Sequence, residues 1–218
     1  MAEAVVIFTL AAYGIGSIPF GKLIAGYVAR IDITRRGSGN IGATNVAREL
    51  GMKWGVITLI LDVLKGFGPM VAFSLTASGS GTGREMALAG IGLSALLGHM
   101  FPVFLKFRGG KGVATALGVY LAISPLSCLC GLILFVVIVA IWDFISLGSI
   151  VAACAMPFFF ALFGEPYPFV AASVVMAVLI CYKHKDNLRR LVRREEPKWK
   201  ERKRQPKRSI SLSNSSSE

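Results

Sequence analysis

The run LSCLCGLILFVVIVAIW, residues 126–142, is apolar almost throughout and contains no charged residue. A helix that crosses a bilayer needs about 20 predominantly apolar residues, or somewhat fewer where it is short or broken. This run therefore predicts a membrane-spanning helix. Six further runs of the same kind are found at residues 4–27, 54–77, 86–105, 113–124, 145–163 and 167–182. The sequence predicts an all-α integral membrane protein with about seven transmembrane helices.

The overall composition excludes a soluble globular protein. Of the 218 residues, 54% are hydrophobic and only 17% are charged, and the mean hydropathy is +0.64. A soluble domain of this length could not bury so much apolar surface. This composition is typical of a protein that lies in a membrane.

The loops between the runs predict the orientation of the chain, because short cytoplasmic loops concentrate Lys and Arg. Basic residues cluster after the first run, after the third run and at the start of the C-terminal tail, whereas the opposite loops offer only Arg84 and Glu165. Seven spans place all basic loops on one side, with the N-terminus outside and the C-terminus cytoplasmic. The run 113–124 is the weakest, since it reaches only ~18 Å before Pro125, and six spans are the alternative.

The positive charge is concentrated in the C-terminal tail. The formal net charge is +12, and 13 of the 24 Lys and Arg residues lie between Lys183 and Arg208. Such a tail could bind nucleic acid, but basic charge beside membrane spans is typical of a face lined with anionic lipid, and we expect no nucleic-acid partner. Residues 1–192 are predicted to form the membrane domain and residues 193–218 a basic, Ser-rich, disordered tail.

The cysteines and the N-terminus give no sign of a secreted or metal-binding protein. The four cysteines lie in apolar runs without CxxC spacing, which favours buried small hydrophobic residues over disulfides or zinc ligands. The N-terminus lacks the positive region of a signal peptide, so residues 4–27 are predicted to remain as a first span. No metal and no cofactor are expected.

The loop RRGSGNIGATNVAREL, residues 35–50, is the first candidate binding segment. Its three glycines match GxGxxG, but that pattern identifies a dinucleotide site only between a strand and a helix, and here it follows a membrane span. Glycines still allow backbone N–H groups to converge on an anion, and a helix starting near Ala43 would direct its positive end at a phosphate. A flexible juxtamembrane turn is the alternative, although it would not require so many polar side chains. The candidate ligands for a phosphate and a polyol are Ser38, Asn40, Thr44, Asn45 and Arg48.

The stretch GHMFPVFLKFRGGKGVAT, residues 98–115, is the second candidate. It is not a Walker P-loop, because Leu105 occupies the position of the first glycine and Gly112 follows Lys111 where Ser or Thr is required. Lys111 among glycines at the start of a helix is nevertheless suited to an anion. His99 lies inside a span, where a hydrogen-bonded structural role and a direct role in the site both remain open.

Two further groups of polar residues lie in or beside the spans. Asp62 and Lys65 share a helical face and can neutralise each other, or they can act in the site, because ionisable groups at that depth are costly. The exit of the last span, YKHKDNLRRL, places His184, Asn187 and either Arg190 or Leu191 at helical spacing. Histidine exchanges protons near neutral pH, so this segment is either part of a reactive cleft or an ordinary basic helix end.

Four blocks of the sequence together resemble one family. They are GSIPFGKLIAG, the loop RRGSGNIGATNVAR followed by LDVLKG, the stretch GHMFPVFLKFRGGKGVAT, and HKDNLRRL, and they occur in this order between about Gly16 and Leu191. The chain is similar to the bacterial membrane-integral glycerol-3-phosphate acyltransferases that use acyl phosphate, the PlsY type. The tail beyond Pro197 is longer than this family leads us to expect.

The resemblance implies transfer of a fatty acyl group from acyl phosphate to the 1-hydroxyl of sn-glycerol 3-phosphate, which gives lysophosphatidic acid and phosphate, the first step of phospholipid synthesis. It also implies a multi-pass protein of the bacterial inner membrane with its active site facing the cytoplasm, and the enzyme that produces acyl phosphate as a further partner. Thr44, Arg48, Lys111 and Asn187 match ligands of the phosphate or glycerol. Ser38 and His184 match the polar residues nearest the reacting groups, and we expect them to be catalytic.

Two other classes of function fit part of the sequence. A transporter for a phosphorylated solute would also need spans and buried charges, but the spans are uneven, no inverted repeat is clear, and the polar residues cluster at one face. A scaffold that recruits partners through its basic tail explains only the tail.

Overall fold

The computed structural model describes residues 2–76 and 79–200, and this part of the chain is helical throughout, with no β-strand. Two short 3₁₀ turns, Ile33–Arg35 and Val103–Leu105, lie between the α-helices. The α-helices are α1 (Ala2–Gly16), α2 (Phe20–Ala29), α3 (Ala43–Leu50), α4 (Met52–Thr76), α5 (Thr82–Met100), α6 (Val113–Ile123), α7 (Pro125–Trp142), α8 (Ile145–Leu162), α9 (Tyr167–Lys183) and α10 (Lys185–Val192). The predicted all-α class is confirmed.

Helices occupy all seven positions at which the sequence predicts spans. The first predicted span is divided into α1 and α2 at Pro19, which lacks a backbone N–H and disfavours helix at the residue before it. Among the described residues, five segments are long and apolar enough to cross a membrane, and α9 with the bent α10 makes a sixth. Helix α6 has only 11 residues. The exact number of complete crossings and the orientation therefore stay predictions.

The short α6 nevertheless leads the chain away from one end of the bundle, and α7 leads it back. Lys111, just before α6, and Ser146, just after α7, both reach the same small group of side chains near α10. The corner between the two helices is made by Ser124, whose hydroxyl accepts a hydrogen bond from Ser127 N, and by Pro125 in the first turn of α7. Three loops and the C-terminal segment consequently meet at one end of the bundle.

The bundle has an apolar interior and an apolar exterior. Its core is built from side chains of α4, α5, α6, α8 and α9, among which Phe73, Ile91, Leu96, Val119 and Phe160 are completely buried. Large apolar side chains also cover the outside, as in α1, where Ile7 is 64% and Leu10 68% exposed. Such a surface is stable when it faces lipid.

Glycines allow the helices to pack with their backbones in contact. A Cβ atom on Gly118 of α6 would collide with the backbone carbonyl oxygen of Val63 in α4, and one on Gly98 of α5 would collide with that of Tyr13 in α1. Close helix approach through small residues is typical of membrane bundles. The position of α6, and with it the loop that carries Lys111, therefore depends on Gly118.

Replacing Gly118 by alanine is expected to destabilise the protein by about 1–3 kcal/mol, because the atoms that the new methyl group meets belong to the backbone and cannot rotate away. The matched control is Gly90→Ala in α5, where an added Cβ has no neighbour within 4 Å and alanine favours the helix. Thermal unfolding in detergent measures both variants. Equal unfolding midpoints would contradict the packing argument.

Residues 193–200, the start of the predicted tail, make contacts with the helical bundle. The chain turns back after α10, Glu196 accepts hydrogen bonds from three side chains, and the backbone N–H groups of Trp199 and Lys200 donate to Asp143. The remainder of the predicted tail, residues 201–218, lies outside the described residues. This short segment, residues 195–200, is called the C-terminal strap below.

Candidate active site

A single cavity of about 760 Å³ lies where the loops meet, within the size range typical of ligand sites. One part of it is polar and the other part is apolar. All the residues predicted as substrate ligands or catalytic residues line this cavity, although they come from three separate segments of the chain. These residues are Ser38, Asn40, Thr44, Asn45, Arg48, Lys111, His184 and Asn187.

The apolar part of the cavity extends between α4, α6, α7 and α8. Leu59, Leu117, Leu132, Phe135 and Met156 are among its lining residues. Several neighbouring side chains of the same helices, such as Ile60 and Ile133, are more than half exposed on the outside of the bundle. A long apolar chain could therefore lie in this part of the cavity and remain close to the lipid.

Asn45 holds the first loop together. Its side-chain N–H groups face the carbonyl oxygens of Ile33, Arg36 and Asn40 at 2.8–3.3 Å, and its Oδ1 accepts a hydrogen bond from Ser38 N at 2.9 Å. The side chain is 2% exposed. The amide of Asn45 is thus engaged with the loop backbone and holds Ser38 beside the cavity, which Asn45 also lines. Its role as a substrate ligand stays a prediction.

The same loop starts helix α3 at the expected place. Gly37 has a φ of +56°, and a Cβ there would collide with Asn45 Oδ1, so glycine is needed for the turn. Asn40 Oδ1 accepts a hydrogen bond from Gly42 N at 2.8 Å, and α3 begins at Ala43. The first N–H groups of a helix have no partner within it, and Ala43 and Thr44 line the cavity. This corner is suited to an anion.

Among the described residues, the cationic side chains of Arg48, Lys111 and Arg190 line the polar part of the cavity, close to the carboxylate of Glu196. The carboxylate of Asp62 also lines the cavity. Lys111 Nζ donates a hydrogen bond to Asn187 Oδ1. Burial lowers the pKa of Lys111 to about 8; the positive charges of Arg190 and Arg48 act in the same direction, and Glu196 opposes them. The net positive charge of this cluster favours a bound phosphate.

The pKa of Lys111 predicts how substrate capture depends on pH. Lys111 is protonated below pH 8 and neutral above it, so kcat/KM for a phosphorylated substrate is expected to fall about tenfold per pH unit well above pH 8. In Lys111→Arg the fall in kcat/KM should move to a pH above the range in which the enzyme can be assayed, because arginine keeps its charge. A pH profile of kcat/KM for both proteins measures this. A flat wild-type profile up to pH 10 would exclude Lys111 as the titrating ligand.

His184 lies at the junction of α9 and α10 and presents a neutral imidazole to the cavity. It is 2% exposed, and its Nδ1 lies 2.8 Å from the carbonyl oxygen of Ile180. A carbonyl can only accept, so Nδ1 carries the proton and Nε2 is left as an acceptor. Burial and the nearby charge of Lys111 lower the pKa of His184 to about 4. At neutral pH the imidazole of His184 is therefore uncharged and offers Nε2 as a hydrogen-bond acceptor.

Glu196 connects the polar side chains of the site. Its Oε1 accepts hydrogen bonds from Asn187 Nδ2 and Ser146 Oγ, and its Oε2 accepts one from Arg190 Nε, each at 2.7 Å. Burial alone would raise the pKa of this carboxyl, but these hydrogen bonds lower it below its ordinary value. The carboxylate of Glu196 thus holds Asn187, the hydrogen-bond partner of Lys111, and it also holds the cationic side chain of Arg190.

Sequence reasoning missed Ser146, Glu196 and Trp199 as parts of the site. Ser146 is one of two serines in an apolar span, and nothing in the sequence distinguishes it. Glu196 and Trp199 lie in a segment whose composition resembles a disordered tail. The one available signal was the pair of acidic residues, Glu195 and Glu196, immediately before Pro197 in an otherwise basic stretch.

A buried charge pair lies beneath the polar part of the cavity. Lys65 Nζ lies 2.9 Å from Asp62 Oδ1 and also donates a hydrogen bond to the carbonyl oxygen of Ile18. His99 Nδ1 lies 3.7 Å from the same carboxylate oxygen, and the ring packs against Gly110 of the glycine-rich loop. The predicted pairing of Asp62 with Lys65 is present, and His99 supports the loop that carries Lys111.

The arrangement combines a phosphate-binding corner, a proton acceptor and an apolar channel. Within residues 2–76 and 79–200, no three His, Cys, Asp or Glu side chains gather as metal ligands would. The site can hold a small phosphorylated molecule beside a lipid chain. Acyl transfer between two such molecules is a reaction that it could support by positioning and charge stabilisation.

Comparison with known proteins agrees with this geometry. The family model for glycerol-3-phosphate acyltransferase matches residues 6–194. The glycerol-3-phosphate acyltransferases of Geobacter sulfurreducens and Geotalea daltonii are 49% and 48% identical to the chain, over 89% and 85% of its length and 97% and 93% of theirs. Two crystal structures of PlsY, an integral membrane glycerol 3-phosphate acyltransferase, superpose with TM-scores of 0.82 for the glycerol 3-phosphate form and 0.81 for the lysophosphatidic acid form. Both are 40% identical and cover 89% of this chain and 94% of that one.

Proposed function

The chain belongs to the glycerol-3-phosphate acyltransferase family, and we propose that it transfers a fatty acyl group from acyl phosphate to the 1-hydroxyl of sn-glycerol 3-phosphate. The products in this proposal are lysophosphatidic acid and inorganic phosphate, and the reaction is the first step of membrane phospholipid synthesis. The observation that carries the proposal is a cavity in which a cationic corner adjoins an apolar channel. Both substrates carry a phosphate and one carries a fatty chain, so each part of the cavity has an occupant.

The proposed reaction needs no covalent enzyme intermediate. The 1-hydroxyl oxygen bonds to the acyl carbon, the bond from that carbon to the phosphate oxygen breaks, and phosphate leaves with the electron pair. His184 Nε2, assisted by a substrate or donor phosphate, takes the hydroxyl proton. Lys111, Arg48 and Arg190 stabilise the charge on the two phosphates. Ser38, whose backbone N–H is held by Asn45, is proposed to lie next to the reacting groups.

One sequence observation favours acyl phosphate over acyl-CoA as the donor. A site where the imidazole of His184 is oriented by a backbone carbonyl, unlike the carboxylate-backed histidine of a hydrolase triad, needs an activated donor, and both acyl phosphate and an acyl-CoA thioester meet that need. Many acyl-CoA enzymes carry a His-x4-Asp motif, but Phe104 stands at that position after His99, and Arg189 at that position after His184.

The remaining proposals concern place and partners. We propose that the protein lies in the bacterial inner membrane with this cavity open to the cytoplasm, since the basic loops converge there. The enzyme that produces acyl phosphate is the proposed protein partner. Residues 1–192 are proposed as the catalytic membrane domain, to which the C-terminal strap contributes contacts.

The test is lysophosphatidic acid formation by purified protein in detergent, given glycerol 3-phosphate with either acyl phosphate or acyl-CoA. Product from acyl phosphate alone establishes the reaction and its donor. Product from acyl-CoA alone would overturn the donor assignment. No product from either donor, with a monodisperse and thermally stable protein, would favour the transporter of a phosphorylated solute.

A further inference from the structure

We propose that Trp199 of the C-terminal strap is a positioning residue for Arg48, and that it sets the affinity of the site for glycerol 3-phosphate. The proposal rests on the proposed function, because it assigns Arg48 to the substrate phosphate. Trp199 lies beyond residue 194, where the family match ends.

The strap is anchored at both ends of its path across the polar part of the cavity. After α10 the chain reverses at Arg194, which has a φ of +59°, and Glu196 is then held by Arg190 and Asn187. Further on, Trp199 N donates a hydrogen bond to the carbonyl oxygen of Asp143 at 2.9 Å. Lys200 N donates to the carboxylate of the same residue at 3.1 Å. Because Asp143 forms the corner between α7 and α8, the backbone of the strap is fixed independently of the indole.

The indole of Trp199 contacts Arg48. The guanidinium carbon of Arg48 lies 5.6 Å from the centroid of the indole ring, within the distance at which a cation and an aromatic face attract each other. Arg48 belongs to the last turn of α3, so this contact joins the first loop to the C-terminus. Both side chains line the cavity.

This contact has a consequence for phosphate binding. Arginine has a long side chain with many rotamers, and ordering it costs conformational entropy when a ligand binds. A guanidinium that lies over an aromatic face keeps its N–H groups at the edge of its plane, so the ring does not block the direction in which they donate to phosphate oxygens. The indole therefore orders Arg48 before the substrate arrives, which lowers the cost of binding.

A tryptophan near a membrane surface could also act as an interfacial anchor. In that case its loss would weaken the protein whatever residue stands at position 48. The two roles differ in whether the effect of Trp199 depends on Arg48, and a double-mutant cycle measures that dependence.

The experiment compares wild type, Trp199→Ala, Trp199→Phe, Arg48→Lys and the double variant Trp199→Ala/Arg48→Lys. Each is assayed for kcat and KM, and calorimetry measures glycerol 3-phosphate binding. Trp199→Ala is expected to raise KM and Kd for glycerol 3-phosphate about tenfold while kcat and the unfolding midpoint change little. Trp199→Phe should restore most of the affinity. In the Arg48→Lys background, loss of the indole should change Kd by a smaller factor than in wild type, because an ammonium is still attracted to the ring but has no plane that stacks on it.

The control is Trp142→Ala, which removes a tryptophan that is 48% exposed at the end of α7 and should leave KM unchanged. An unchanged Kd in Trp199→Ala, or equal effects of its loss in both backgrounds, would overturn the inference. A wild-type protein that neither binds nor acylates glycerol 3-phosphate would instead overturn the proposed function. The two failures are therefore distinguishable.

Discussion

Replacing His184 by alanine is expected to lower kcat by about 10²–10⁴-fold, the usual contribution of a positioned general base. The buried imidazole has its Nδ1 proton directed at the carbonyl oxygen of Ile180, which leaves Nε2 as the acceptor for the hydroxyl proton. Alanine removes that acceptor, whereas Lys111 and Arg48, the proposed phosphate ligands, are unchanged. The loss should therefore appear in kcat more than in the KM for glycerol 3-phosphate.

The pKa of His184 adds a pH signature to this prediction. Since burial and Lys111 lower this pKa to about 4, the imidazole is neutral and active as a base from about pH 5 upward. A decrease in rate below about pH 6 must then come from protonation of glycerol 3-phosphate, a phosphate monoester whose second pKa is about 6. That decrease should persist, at a much lower rate, in His184→Ala.

The matched control for His184 is its neighbour Lys185, which is exposed and lies against the ring of Tyr182. Lys185→Ala should retain the wild-type kcat, and both variants should remain monodisperse in detergent. A His184→Ala variant that keeps the wild-type kcat would show that phosphate alone removes the proton. A loss of the same size in Lys185→Ala would point to a general disturbance of the helix junction.

The sequence predicted the membrane class and the helix positions well, because the length of an apolar run is a local property. It also predicted that basic loops meet at one face, and Arg48, Lys111 and Asn187 do line one cavity. The number of complete spans could not be settled in this way, since α6 is shorter than a span yet leads the chain away from the site. The family resemblance is confirmed by the comparisons, while the individual roles of the site residues stay predictions.

The parts of the site that sequence reasoning missed depend on long-range contacts. The amino-acid composition of residues 193–200 is typical of a charged tail, because composition does not show which individual residues of the segment make contacts. The partners of Glu196 include Ser146, which lies 50 positions earlier in the chain, and no local pattern announces such a contact. The contacts of Asn45 with the loop backbone were also not predicted. The sequence shows only that Asn45 lies among polar loop residues, and that position favoured a substrate ligand.

Replacing Glu196 by alanine is expected to destabilise the protein by about 2–4 kcal/mol and to weaken glycerol 3-phosphate binding. The Glu196 side chain is 7% exposed, and its removal leaves the buried Asn187 and Ser146 without an acceptor. The Arg190 side chain is 40% exposed, so solvent screens its part of the loss and the two buried partners account for most of it. Glu196→Gln should fall between wild type and alanine, because an amide oxygen still accepts hydrogen bonds but carries no charge.

The adjacent Glu195 provides the control, because it is exposed and its loss removes the same formal charge from the same segment. Thermal unfolding and calorimetric binding of glycerol 3-phosphate should separate the two variants, with Glu195→Ala close to wild type in both measurements. If both substitutions had equal effects, net charge would explain the result better than the hydrogen bonds of Glu196. If Glu196→Ala weakened binding without lowering the unfolding midpoint, Glu196 would position Asn187 and Arg190 for the substrate without holding the fold together.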